Sequence, residues 1–228
     1  RKRKIMNTAG KKNDNIVALV DCNNFYVSCE RVFNPKLHNK PVAVLSNNDG
    51  CIVSRSQEIK DLKIPMGAPG FKYEGLIKKN GGTLLSSNYA LYADMSARVM
   101  EVLSMFSPEV EIYSIDEAFL GLNGFKNRDL ESYGRKIKRT VFQWTGIPVS
   151  VGISKTKTLA KVANHFAKRF SAFQGSLCLL DDKQKKKALS KTPVYDIWGI
   201  GRQYNKFLRQ HKIETALQVR DADDKFIE

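Results

Sequence analysis

Long uncharged apolar runs are missing from these 228 residues, so no segment reads as a membrane-spanning helix. No signal-peptide pattern is evident. Cysteine is scarce, and Cys22, Cys29, Cys51 and Cys178 show no Cys-x-x-Cys spacing. They fall mostly in apolar segments, which argues for reduced structural thiols in a cytosolic protein rather than a disulfide framework. His38, His165 and His211 lack metal-ligand spacing, so nothing points to a zinc site. Acidic residues are also in short supply. Against 38 Lys plus Arg there are 23 Asp plus Glu, a net charge of +15. That excess favours a polyanionic partner, nucleic acid first. An acidic lipid surface is the alternative, but no amphipathic helix with an exposed aromatic face supports it. There is no internal repeat.

What is present centres on Glu109-Val-Glu-Ile-Tyr-Ser-Ile-Asp-Glu-Ala-Phe-Leu-Gly-Leu122. It reads as two strands, 109–115 and 118–122, with Asp116 and Glu117 at the tip between them. Neighbours on a regular strand face opposite ways, whereas at a tight tip both carboxylates can converge. A lone acidic dipeptide is more often a solvated turn. A second acid in a like setting shifts the balance: the buried-strand run Ile16-Val-Ala-Leu-Val20 ends on Asp21. Three carboxylates at neighbouring strand ends make a hard-oxygen site suited to magnesium.

Taken in order, residues 1–14 form a basic leader without periodicity, expected to be disordered. After Asp21, Asn23 or Asn24 caps a short helix over 25–32. Residues 41–45 and 51–53 form a hairpin across Asn47-Asn-Asp-Gly50. A helix follows over about 54–62, then a glycine-rich segment, 67–82, with a second short helix. Asn88 caps a long helix with the apolar stripe Leu91, Met95, Val99, Val102, Leu103 and Phe106. The strand pair, a helix over 128–144 and a strand over 148–153 complete the split βαβ pattern of a ferredoxin-like sheet. The expected fold is α+β, with helices on one face of a mostly antiparallel sheet and Asp21 beside the Asp116–Glu117 tip.

From Ser154 the character changes. A helix over 156–170 carries Leu159, Val162, Ala163, Phe166 and Phe170 on one side and Lys157, Lys161, His165 and Lys168 on the other. A basic face is usually just solvated; beside a metal site it becomes a candidate phosphate clamp. Trp198-Gly-Ile-Gly-Arg202 then precedes a helix with Tyr204, Phe207 and Leu208 expected inward and Arg202, Lys206, Arg209 and Lys212 outward. A Gly-x-Gly turn between helices lets backbone N–H groups approach a phosphate, so Gly199, Gly201 and Arg202, with Lys157 and Lys168, are candidate DNA contacts.

With these residues in view, the chain resembles the Y-family translesion DNA polymerases over nearly its whole length. The motifs that carry it are Val20-Asp-Cys-Asn-Asn-Phe-Tyr26, Tyr113-Ser-Ile-Asp-Glu-Ala118 and Gly152-Ile-Ser-Lys-Thr-Lys-Thr-Leu-Ala-Lys161. Leu45-Ser-Asn-Asn-Asp-Gly-Cys51 and Ser86-Ser-Asn-Tyr-Ala-Leu-Tyr-Ala-Asp-Met-Ser96 look like the UmuC branch, the catalytic subunit of DNA polymerase V and its plasmid-borne relatives. The DNA polymerase IV branch usually differs at both places. The resemblance implies a palm over 15–24 and 88–168, fingers over 25–87 and a helical thumb over 169–228, with the family's little-finger domain absent from this chain.

It further implies that Asp21, Asp116 and Glu117 hold two Mg²⁺ ions, with the Cys22 carbonyl as an added ligand, for template-directed nucleotidyl transfer. Tyr26 falls at the steric-gate position beside Phe25. Ser54, Gln57 and Lys60 fall at the finger triphosphate contacts, where many relatives have Thr, Tyr and Arg, and Lys161 at the palm lysine that reaches the triphosphate. The implied partners are primer–template DNA, deoxynucleoside triphosphates, a processed UmuD-like subunit, RecA and the sliding clamp, with no membrane. The implied setting is SOS mutagenesis and DNA damage tolerance in the bacterial cytoplasm, at the nucleoid. Competing readings are a DNA polymerase IV-like enzyme, a non-catalytic DNA-binding scaffold with a palm fold, and a nucleotide cyclase on the same topology.

Overall fold

The apolar run that ends on Asp21 becomes the central strand of the molecule. A computed structural model describes residues 15–125 and 128–223; the expected basic leader, 1–14, lies outside them. In chain order the elements are β1 (Val17–Cys22), α1 (Phe25–Phe33), β2 (Val42–Leu45), β3 (Ile52–Arg55), α2 (Gln57–Asp61), α3 (Gly70–Lys79) and β4 (Thr83–Leu85). Next come α4 (Tyr89–Ser104), β5 (Val110–Ile112), β6 (Glu117–Gly121), α5 (Leu130–Thr145), β7 (Val149–Ser154) and α6 (Lys157–Arg169). The chain closes with β8 (Ser176–Leu179), α7 (Asp182–Ser190), α8 (Arg202–Gln210) and α9 (Ala216–Arg220).

Five strands form the main sheet in the order β5-β6-β1-β7-β8. β1 pairs antiparallel with both β6 and β7, and β8 joins β7 in parallel. This is the expected ferredoxin-like arrangement with one strand added. Residues 176–179, which the sequence reading assigned to the thumb, therefore belong to the sheet. They extend it because β7 would otherwise be an unpaired edge.

β1 is buried on both faces, which is why it reads as an unbroken apolar run. Ala18, Val20 and Cys22 face a core built with Tyr92, Met95 and Val99 of α4 and Ile137 and Val141 of α5. Leu19 faces the other way, packing with Phe119 and with Ala160 of α6. The expectation of helices on one face holds for α4 and α5 and has to be extended by α6, which covers part of the opposite face. Its close approach depends on Gly152. A Cβ there would lie 2.2 Å from the Ala160 carbonyl oxygen and 2.2 Å from the Asn164 amide nitrogen, so only glycine fits. Asn164 uses the proximity, donating from Nδ2 to the Ser150 carbonyl at 2.7 Å.

The insertion between β1 and α4 has a three-stranded sheet of its own, β3-β2-β4. Ala43, Leu45, Ile52, Ile59, Ile64, Ala68 and Ile77 form its core. The hairpin turn stands where Asn47–Gly50 predicted it, with Ser46 N–H donating to the Cys51 carbonyl at 2.7 Å. Asn88 caps α4 as expected, its side chain accepting from Leu91 N–H at 3.1 Å. After β8, helices α7 and α9 bury Ala188, Leu189 and Ala216 against Val162, Ala163 and Phe166 of α6.

Two packing expectations are corrected. Tyr204 and Phe207 are 66% and 44% exposed, and the short α8 buries only Leu208. Phe170 is 43% exposed, since it follows the last turn of α6 rather than lying on its inner face.

Replacing Gly152 by Ala is expected to destabilise the protein by about 3 kcal/mol, because backbone rather than a flexible side chain must move. Urea unfolding measures this; an unchanged midpoint would contradict the packing of α6 on β7.

Candidate active site

Register decides which acids meet. Asp21 of β1 stands directly opposite Glu117 of β6 on one side and Ser150 of β7 on the other. Residues directly opposite in an antiparallel ladder project to the same face, so the two carboxylates converge on the face that carries α6. The expectation that Asp116 and Glu117 share a hairpin tip is corrected. β6 starts at Glu117, and the turn is formed by residues 113–116.

That turn is tied down by its own polar groups. Tyr113 and Ser114 N–H donate to the Glu117 carbonyl at 3.0 and 3.1 Å, and Ser114 Oγ donates to Asp116 Oδ1 at 2.7 Å. Cys22 N–H donates to the Asp116 carbonyl at 2.8 Å, fixing Asp116 beside the end of β1. The Asp116 charge helps to push up the Cys22 thiol and the Tyr26 phenol, in both cases after burial as the main cause.

Burial also raises Asp21 to about 6, with Glu117 adding to the rise and Lys168 opposing it. Lys168 Nζ lies 2.5 Å from Asp21 Oδ1, and Lys161 Nζ lies 3.0 Å from both oxygens of Glu117. Lys157 pairs with Glu111 on β5 at 2.6 Å. Spacings of four and seven residues put these three amines along one face of α6, above the acidic end of the sheet.

Other expected site residues divide into two groups. Lys60 reaches toward the sheet from the insertion, donating to Asn24 Oδ1 at 2.6 Å. Partial burial lowers its pKa first, then the charges of Arg55 and Lys168, so it shares a field with the α6 lysines. Tyr26 stacks on Tyr92 with centroids 4.3 Å apart and planes 11° from parallel, and meets Tyr89 edge-on at 6.0 Å. Phe25, by contrast, is buried in the core. Ser54 is buried too, its hydroxyl accepting from Val27 N–H at 3.4 Å. Gln57 is paired with Asp61 at 2.8 Å. Gly199, Gly201 and Arg202 are exposed at the turn before α8.

Three residues at the site escaped the sequence reading. Tyr92 is fully buried, supports Tyr26 and donates to Glu30 Oε1 at 2.7 Å. Asn23 anchors the end of β1 by accepting from Ser150 Oγ at 3.0 Å. Trp198 donates from Nε1 to the Tyr113 hydroxyl at 3.1 Å, and its ring lies 5.4 Å from Lys161 Nζ. Lys161 also lies 4.7 Å from the Tyr113 ring, a cation–π contact. Only their motif neighbours hinted at Tyr92 and Asn23; nothing local tied Trp198 to Tyr113.

Asp21 and Glu117 offer a hard-oxygen donor set that suits Mg²⁺ or Mn²⁺. Among the described residues no three acidic, His or Cys side chains are gathered into a preformed metal cluster. Lysines partner the two central carboxylates, Lys161 with Glu117 and Lys168 with Asp21.

The impB/mucB/samB family profile matches residues 20–165. Protein UmuC of Salmonella typhimurium is 50% identical over 204 residues, which cover 89% of this chain and 48% of that protein. DNA polymerase IV of Saccharolobus solfataricus is 32% identical over 194 residues, covering 82% of this chain and 53% of that protein. The chain thus spans about half the length of these relatives. An insertion ternary complex of Dbh DNA polymerase superposes with a TM-score of 0.80 at 25% identity, over 93% of this chain and 62% of that one.

The titration of Asp21 has a testable sign. Its folded pKa, about 6, exceeds its ordinary 3.8, so the folded state holds this proton more tightly than the unfolded chain does. Stability of the metal-free protein therefore falls as pH rises from about 4 to about 6, by on the order of 3 kcal/mol. Urea unfolding in chelator is expected to show this drop in the wild type and to lack it in Asp21→Asn. Parallel pH profiles for the two would refute it.

Proposed function

We propose that this chain, which belongs to the impB/mucB/samB family, is the catalytic part of an error-prone translesion DNA polymerase of the Y family. The observation that carries the reading is the facing pair Asp21 and Glu117, with Asp116 bonded to the next backbone amide of β1. Identity of 50% to a UmuC protein against 32% to a DNA polymerase IV favours the UmuC branch. The main sheet with α4–α6 acts as palm, residues 25–87 as fingers and the segment from α7 onward as thumb.

Asp21, Asp116 and Glu117, with the Cys22 carbonyl, are the groups that would hold two Mg²⁺ ions, which when bound activate the primer 3′-hydroxyl and neutralise the triphosphate. The chain's own residues do the rest. Lys161 and Lys60 approach the acidic site from opposite sides, from α6 and from the insertion, and are suited to grip the triphosphate. Lys60 contributes a point charge rather than the two-pronged contact of an arginine. Stacking on Tyr92 holds the Tyr26 ring in one orientation, as a steric gate against a 2′-hydroxyl requires. Phe25 supports that ring from the core, and Ser54 fixes α1 against β3 rather than offering a free hydroxyl.

Arg202, Lys206 and Arg209 on α8, with the Gly199–Gly201 turn, fit sequence-blind contacts to the DNA backbone. Lys157 serves the same purpose once it leaves Glu111. A processed UmuD-like subunit, RecA and the sliding clamp are the partners proposed for the whole protein, acting at the bacterial nucleoid in the SOS response. Among the described residues no helix is long and apolar enough to cross a membrane.

Primer extension with Mg²⁺ tests the reading. Asp116→Ala and Glu117→Gln are each expected to lower the rate by about a hundredfold or more, the loss of several kcal/mol of transition-state stabilisation. Undiminished extension by either variant would sink the assignment. Tyr26→Ala is expected to retain extension while raising incorporation of ribonucleotides; unchanged sugar discrimination would remove the gate from Tyr26.

Affinity for primer–template is expected to fall by about tenfold or more between 50 and 200 mM salt, since several phosphates are neutralised. Fluorescence anisotropy reads this, and salt-independent binding would argue against a backbone grip.

A further inference from the structure

The sequence reading gave Lys168 a role on DNA, but the structure turns its amine inward. Its Nζ lies 2.5 Å from Asp21 Oδ1, and the Asp21 side chain is only 14% exposed. Asp21 and Glu117 stand opposite each other on neighbouring strands with side chains only 14% and 17% exposed, so the two carboxylates would repel. One lysine answers each acid: Lys161 for Glu117 and Lys168 for Asp21.

We propose that Lys168 is a built-in counter-cation of the metal-free site: its ammonium occupies the place beside Asp21 that a divalent ion takes, and must leave for that ion to bind. The inference rests on the metal-site reading above and deepens it. Two cations cannot share one buried carboxylate oxygen without strong repulsion, so ammonium and metal compete. Lys168 is the one of the two suited to move. Lys161 has the rings of Tyr113 and Trp198 beside it, whereas Lys168 stands in the last turn of α6. There the free carbonyls of the helix end favour a cation, so the displaced ammonium has a nearby alternative. The Lys168 charge is also felt by Lys60, so its departure relieves that lysine of the insertion as well.

Mn²⁺ binding to the whole protein without nucleotide, followed by the paramagnetic resonance of free Mn²⁺, tests this. Lys168→Met is expected to bind Mn²⁺ at least about fivefold tighter than wild type, since a single charge at contact distance is removed. It should also show a larger Mn²⁺-induced rise in melting temperature. Lys168→Arg, which keeps the charge, is expected within about twofold of wild type, as is Lys78→Met, which removes a charge from the exposed pair with Glu74. Lys168→Gln provides a second neutral variant should the methionine variant fold poorly.

Asp21→Asn separates the two ideas. If it weakens Mn²⁺ binding while the neutral Lys168 variants bind no tighter than wild type, the counter-cation role is overturned and the metal site stands. If Asp21→Asn binds Mn²⁺ as wild type does, the metal-site reading fails and the inference falls with it. Arginine matching methionine in its gain would also overturn it, because charge would then not be the cause.

Discussion

One register holds the site together. Asp21 sits opposite Glu117 because β1 and β6 pair with Val17 against Gly121, and each later pair follows from that. A slip of one residue would send Asp21 into the apolar core with Val20 and Cys22. The core therefore enforces the site: Ala18, Val20 and Cys22 have buried partners on α4 and α5, which a slip of one residue would take from them. Stability and chemistry share one set of contacts here, and a protein that loses the first loses the second.

Burial makes that register electrostatically costly, and α6 answers the cost. Burial raises Asp21 to about 6, with the facing Glu117 adding to the rise and Lys168 opposing it. Three lysines on a single helical face supply the opposing charge, and Gly152 lets that face come close enough for their amines to reach. Gly152, Lys157 and Lys161 belong to one motif for a physical reason: without the close approach, the amines would stand over solvent. A few lysines thus turn inward on acids, while the net charge of +15 is carried by the basic residues that remain.

Much of this was legible in advance, and the misses have causes. Asn88, the Asn47–Gly50 turn and the apolar stripe of α4 announced their elements through local chemistry, and all three stand where expected. Glu117 was misplaced by one residue because the Tyr113–Asp116 turn is closed by two amides on one carbonyl, a backbone pattern that side-chain types do not report. The pairing of residues 176–179 with β7 was not foreseen, since a short strand does not declare which sheet it joins. Tyr204 and Phe207 were expected inside on periodicity alone, yet only Leu208 of α8 is buried.

The amino-acid order by itself determined the elements, the acidic strand ends and the family, because caps, turns, alternation and motif strings are local properties of the chain. Only the tertiary structure decided which acid faces which, that Lys161 and Lys168 turn inward onto Glu117 and Asp21, that α6 lies on the second face of the sheet, and that Trp198 reaches Tyr113. Each of those depends on the distance between residues far apart along the chain, and that distance is set by the packing of β1 between two layers rather than by any stretch of sequence.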